Sequence, residues 1–211
     1  RGGQREPYEG FINKEGSSRG PALSYLLDAV RRGDDSDLEK HLDVKGFLHW
    51  LAANHILANL DSYTGMGHNG YIYAFEKNRF TFIPWDMNEA FGKFTYGRSQ
   101  AQMEGLDIFR PFIRNKALID RVLGNKSWRA LYLEKVRSLM KGACSEKNII
   151  AKIQVANKRI GAAVRAEEQP EHPLAEFDGS LDTGGRGIAG FATRRARFIH
   201  RQLADKGAVA D

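Results

Sequence analysis

Three oxygen-bearing side chains, Asp61, Asn69 and Asp86, fall in a stretch whose other residues are largely apolar or aromatic. Asn59-Leu-Asp61-Ser-Tyr63 is followed by a short Gly-rich loop, by His68-Asn69-Gly-Tyr-Ile-Tyr73, and then by Ile83-Pro-Trp-Asp86. Tyr71, Tyr73 and Phe75 alternate with Ile72 and Ala74, and Arg79 to Pro84 alternates likewise, so Glu76-Lys77-Asn78 reads as a three-residue hairpin loop. That register sets Phe75 opposite Arg79 and Asn69 opposite Trp85, with Cα atoms about 4.5 to 5.5 Å apart across a pair. Asp86 is then a neighbour of Asn69, and the seven residues Ser62 to His68 tie Asp61, read as the end of the preceding helix, to the same place. Two carboxylates and an amide oxygen at one point form the hard-oxygen environment that Mg²⁺ with a phosphate-bearing substrate requires. The same residues also admit a structural reading in which both Asp side chains are caps or turn formers.

The elements that must position this cluster are mostly helical. Leu23, Leu26, Leu27 and Val30 recur at helical spacing, which predicts a helix over Pro21 to Arg32 ended by Gly33. Asp34-Asp35-Ser36-Asp37 supplies caps for a short helix through His41. A central helix, Val44 to Leu60, is capped by Asp43 and buries Phe47, Leu48, Leu51 and His55, with His55 read as a core histidine. Beyond the hairpin, Met87 to Gln102 reads as an ordered loop beside the site. Helices are then expected over Leu106 to Leu123, Ser127 to Met140 and Ser145 to Arg165, the last with a stripe of Ile149, Ile153, Ile160 and Val164. Ala166 to Gly187 reads as a long surface loop, and a final helix from Gly190 to Lys206 is expected to present Arg194, Arg195, Arg197 and Arg201. The expected class is mainly α with one β-hairpin. Residues 1–20 form an extended arm or linker, and 21–206 form one domain with its hairpin at about 70–84.

With 211 residues and 42% hydrophobic content, the chain can bury one good core, which excludes a disordered protein. No apolar run approaches the ~18 residues of a membrane span. The first residue is Arg1, from which an upstream region is expected to have been removed or left out, a signal peptide among the candidates. One cysteine, Cys144, rules out an internal disulfide and leaves the compartment open. The net charge of +6 suits an acidic partner or a solvated basic face. A P-loop is unsupported, because Gly124-Asn-Lys-Ser127 lacks the earlier Gly, and the six His residues show no zinc-ligand spacing.

The helix Phe47-Leu-His-Trp-Leu-Ala-Ala-Asn54, the Asn59-Leu-Asp61-Ser62 after it, His68-Asn69 opening the hairpin, and Phe82-Ile-Pro-Trp-Asp86 with Phe91-Gly92 together resemble the spore coat protein H (CotH) kinase family. The likeness covers most of residues 20–205. It implies the helical C-terminal lobe of a kinase-like fold, with ATP and Mg as cofactors and a hydroxyl acceptor on protein; the compartment stays open, with extracytoplasmic, cell-surface and spore-coat-like locations as the candidates. By this resemblance Asp61 is the catalytic residue that orients the acceptor and Asp86 is a metal ligand, and the hairpin register above, which sets Asn69 beside Asp86, makes Asn69 the expected second ligand. Trp85 is expected either to wall or stack on the nucleotide or to be plain core, and His68 either to contact a phosphate or to brace the loop.

Ordinary protein kinases place an Asn five residues after the catalytic Asp; Met66 stands there, and Asn69 follows at eight. Asn88 occupies the place of a second acidic residue often found two positions after the Trp-Asp aspartate, with Glu89 beside it. No strand-rich, nucleotide-clamping segment is evident in residues 1–43, so this chain alone is expected to be inactive. The rival class is a non-catalytic surface or spore-coat-like interaction protein on the same fold. Nucleic-acid binding by the arginines of the final helix is disfavoured because no exposed aromatic set accompanies them.

Overall fold

The computed structural model describes residues 20–76, 78–110, 116–168 and 172–207. The arm read over residues 1–20 falls almost wholly outside them, as does Lys77 of the hairpin loop. The fold is mainly α with one antiparallel hairpin, as the periodicities predict. In chain order the helices are α1 (Gly20–Arg32), α2 (Asp35–His41), α3 (Val44–Ile56), α4 (Gln100–Glu104), α5 (Ala117–Gly124), α6 (Lys126–Lys141), α7 (Glu146–Arg165), α8 (Leu174–Asp178) and α9 (Ile188–Gly207). Strands β1 (Gly70–Glu76) and β2 (Arg79–Pro84) lie between α3 and α4.

Helix α3 is the axis of the core. Phe47, Leu48, Leu51 and Ala52 are fully buried, and Trp50 and Ile56 nearly so, because neighbours cover this helix on most sides. Its start is fixed by Asp43, whose carboxylate accepts from the Gly46 N–H, and Asp34 caps α2 in the same way through Asp37. Phe82 of β2 packs on Phe47 and Trp50, with ring centroids 4.8 and 5.2 Å apart, so the inner face of the hairpin is clamped to α3. The Asp43 N–H donates to the Phe80 carbonyl at 2.7 Å and ties β2 to the α2–α3 junction.

The hairpin register is the expected one from Gly70↔Pro84 through Ala74↔Phe80. It departs at the turn, where Arg79 pairs with Glu76 instead of Phe75 and leaves a bulge between Ala74 and Glu76. The bulge pairs Glu76 with Arg79, and Asn78 takes the left-handed conformation common in tight hairpin turns.

Several expected boundaries are corrected. The central helix ends at Ile56, not Leu60, so Asp61 lies in the loop beyond it. Ala58 is left-handed at φ 47°, the Asn59 N–H returns to the Asn54 carbonyl at 2.9 Å, and the Ala58 N–H to His55 at 3.2 Å. This pairing of crossed bonds around a left-handed residue terminates helices, and here alanine fills the position usually given to glycine. The single helix expected over 106–123 is replaced by turns near Ile108 to Arg110 and by α5 from Ala117; residues 111–115 lie outside the described set. The α7 stripe is largely surface, with Ile149 buried but Ile160 about half exposed. The long loop after α7 contains α8 and a 3-10 turn over Gly179–Leu181. Arg195 is not presented by α9 but is 2% exposed. Among the described residues, no helix is long and apolar enough to cross a membrane.

Candidate functional site

The loop from Leu57 to Asn69 is held from beneath by a buried polar ladder. Asn54 donates to the Trp50 carbonyl at 2.9 Å and accepts from the Asn59 side-chain amide at 2.9 Å. The Asn59 carbonyl in turn accepts from the Ser62 and Thr64 hydroxyls at 2.8 and 2.9 Å. All four side chains are almost fully buried, where the hydrogen bonds made specify one geometry, although the Asn59 Oδ1 is buried without a partner among the described residues. Asn59 also reaches Met87 Sδ at 3.2 Å, and the Phe91 N–H donates to the Leu57 carbonyl at 2.7 Å, so this loop and the segment after Asp86 are locked together.

Asp61 emerges from the ladder with its side chain 16% exposed. Asn69 donates its amide to Asp61 Oδ2 at 2.8 Å, and His68 Nε2 lies 3.4 Å from Asp61 Oδ1. A carboxylate only accepts, so the Asn69 NH₂ must be the end that faces Asp61, leaving its Oδ1 as an acceptor. Asn69 is left-handed at φ 52°, which turns the loop into β1 one residue before the ladder begins at Gly70↔Pro84.

Trp85 and Asp86 leave β2 at this same end of the hairpin. Trp85 is 57% exposed and meets Tyr71 edge-on at 5.4 Å. Asp86 is exposed and left-handed at φ 49°, and its carboxylate makes no hydrogen bond or ion pair with another described residue. Ala58, Asn69, Asp86 and Phe91 are all non-glycine residues at positive φ in the two interlocked segments, a concentration of sparsely populated backbone typical of functional sites. Glu89 pairs with Lys93 at 3.4 Å, while Asn88 is exposed.

The structure thus joins Asp61, His68 and Asn69 directly and sets Trp85 and Asp86 at the same hairpin end. Among the described residues there is no cluster of three or more His, Cys, Asp or Glu side chains able to hold a metal. The donors that suit Mg²⁺ are instead the unpartnered Asp86 carboxylate and the Asn69 Oδ1, hard oxygens that would leave the remaining positions to phosphate and water.

Two contributors were not legible from sequence. Lys116 places Nζ 5.3 Å from the Tyr63 ring centroid and 3.6 Å from where a Cβ on Gly67 would stand, so a cation from a distant segment borders the loop. Arg195 donates to the carbonyls of His55 at 2.8 Å, Ile56 at 3.3 Å and Glu104 at 2.9 Å, and also to that of Leu106. Its cation sits at the C-terminal end of α3, where free carbonyls and the helix dipole favour positive charge. Burial brings its pKa down to about 10. Beside it, burial and the Arg195 charge hold His55 well below its ordinary pKa. His55 Nδ1 contacts the Tyr132 hydroxyl at 2.8 Å, and that hydroxyl lies 2.8 Å from the Ile108 carbonyl.

In comparison with known proteins, the inner spore coat protein H of Bacillus subtilis (strain 168) is 24% identical over 173 residues, covering 80% of this chain and 43% of the relative. The chain therefore spans less than half the length of that protein. The family model described as CotH kinase protein matches residues 6–199, a span containing the buried ladder, the hairpin, Asp86 and Arg195. The chain belongs to the CotH kinase protein family.

Proposed function

We propose that this chain supplies the acceptor-orienting and metal-binding side of an ATP- and Mg-dependent phosphotransferase whose acceptor is a hydroxyl group on a protein. The observation that carries the reading is the 2.8 Å bond from Asn69 to Asp61 at the mouth of a hairpin that also delivers an unpartnered Asp86. Phosphoryl transfer asks a protein mainly to position oxygens in line and to neutralise charge. Asp61, fixed by Asn69 and His68, aligns the acceptor hydroxyl through its carboxylate. Asp86 and the Asn69 oxygen would hold the metal, which when bound offsets phosphate charge. The exposed Trp85, with Tyr71 against its edge, offers an apolar wall for a base. Lys116 adds a cation at the loop.

A second reading, a non-catalytic surface or coat component, draws on the lack of a three-residue acidic or histidine cluster among the described residues and on Asn88. One experiment separates the two. The natural protein, with any flanking sequence, is assayed for Mg-dependent transfer of labelled γ-phosphate to casein and to itself, beside Asp61→Asn and Asp86→Asn. Transfer lost in both variants is the expected result. Transfer that survives both substitutions, or no ATP binding by the unmodified protein, would sink the enzyme reading.

A further inference from the structure

Helix α9 carries Arg194, Arg197 and Arg201 along one side, and this side forms a cleft of about 370 Å³ with Ala101, Glu104 and Gly105. Arg194 is held in place by Glu104, Nε to Oε1 at 2.8 Å. Arg197 and Arg201 are exposed and make no hydrogen bond or ion pair with another described residue. We infer that this cleft is a docking site for a phosphorylated serine or threonine segment of a protein.

The charge balance selects the ligand. Three guanidinium groups less the Glu104 carboxylate leave an excess of two positive charges lining the cleft, matching the roughly −1.5 to −2 of a phosphomonoester at neutral pH. Planar guanidinium forks grip phosphate oxygens in bidentate fashion, and a phosphoryl group has enough oxygens for more than one fork, whereas a single carboxylate is satisfied by one. Ala101 and Gly105 keep the opposite wall low, so a main chain can pass over it. Arg194 and Arg201 stand seven helical positions apart, a wall of roughly 10 Å that outlasts one phosphate and can reach the flanking peptide. A nucleic-acid strand fits less well. It needs stacking platforms, and the one aromatic here, Phe198, is half-buried with its ring facing the buried Arg195 guanidinium at 5.7 Å. The cleft is built from α4, its C-terminal cap Gly105 and α9, and uses none of the residues at the hairpin mouth, so it stands independently of the phosphotransferase reading.

The test is fluorescence anisotropy with the complete chain and a labelled peptide pool carrying a fixed central phosphoserine among randomised residues. Saturable binding is expected, at least about tenfold weaker in the Arg197→Gln/Arg201→Gln double variant and only partly restored by lysine at both positions, because lysine lacks the bidentate fork. Asp86→Asn should bind as the unmodified chain does. An unchanged melting temperature for the arginine variants confirms that they fold. The proposal is overturned by equal binding of the unphosphorylated pool or by full binding in the double variant. It is likewise overturned if single-stranded RNA competes as well as the phosphopeptide, or if inorganic phosphate displaces the peptide at equal concentration.

Discussion

Asn69 spends its amide on Asp61 while holding a left-handed backbone that turns the loop into β1, so one residue fixes both a carboxylate and a chain direction. The two duties separate by substitution. Asn69→Gly keeps the backbone and loses the amide, whereas Asn69→Ala loses both, since alanine in this region costs roughly 1–2 kcal/mol. Urea unfolding should find Asn69→Ala about 1 kcal/mol less stable than Asn69→Gly, while phosphoryl transfer by the natural protein falls equally in the two. Equal stabilities would show that the positive φ carries no strain.

Asp86 is expected to matter for chemistry and little for folding. It is exposed and unpartnered, so Asp86→Asn, which tolerates the left-handed backbone, should change stability by no more than about 0.5 kcal/mol. In the proposed role of a direct metal ligand, its loss should cost transfer more than the 10–100-fold typical of outer-shell partners. Chemical denaturation and a transfer assay on the same preparation check both halves. A stability loss of several kcal/mol would mark Asp86 as a structural turn former.

The two faces of the hairpin should respond oppositely. Phe82 packs between Phe47 and Trp50, so Phe82→Ala is expected to cost about 3–5 kcal/mol. Trp85, more than half exposed, should tolerate Trp85→Ala within about 1 kcal/mol while weakening nucleotide binding. Thermal melts with and without ATP read both effects.

Much of this site is local, and that explains which parts the sequence disclosed. Strand alternation sets a hairpin register, and a register brings Asn69 and Asp86 to one end with no long-range information. Asp34 and Asp43 were readable as caps because capping acts within one turn. The end of α3 was hidden, since Leu57 to Leu60 are apolar and the stop depends on an alanine adopting a glycine-like conformation. Arg195 was misassigned for a related reason. Beside Arg194 and Arg197 it reads as surface charge, and only the tertiary meeting of α9 with the end of α3 supplies the carbonyls that allow its burial. Lys116 borders the loop from more than fifty residues away, which no spacing rule anticipates.

Arg195 joins two backbone segments that approach only in the folded state, the end of α3 and residues 104–106. Arg195→Met fills similar volume but strands buried carbonyls, an expected loss of about 3–5 kcal/mol. Arg195→Lys keeps the charge with fewer donors and should fall between. Hydrogen exchange is the discriminating readout, because the Ala58 and Asn59 amides that close α3 should lose protection before the remainder of α3 does. Uniform loss across the helix would make Arg195 a general core residue rather than a clasp on the loop that carries Asp61.

His55 gives a pH dependence whose sign is fixed by its burial. Its folded pKa lies well below the ordinary value of 6.5, so above that pH neither state is charged and the residue adds no slope. Below it the unfolded chain takes up a proton that the folded chain refuses, and stability falls as the solution is acidified. One such group contributes a slope approaching about 1.4 kcal/mol per pH unit until the folded pKa is reached. His55→Gln should remove this component while keeping a polar contact to Tyr132, so the variant should be less stable than the unmodified chain at pH 7.5 and the gap should narrow towards pH 5. Parallel urea titrations across that range decide it, and a gap that widens on acidification would mean that His55 is charged in the folded protein.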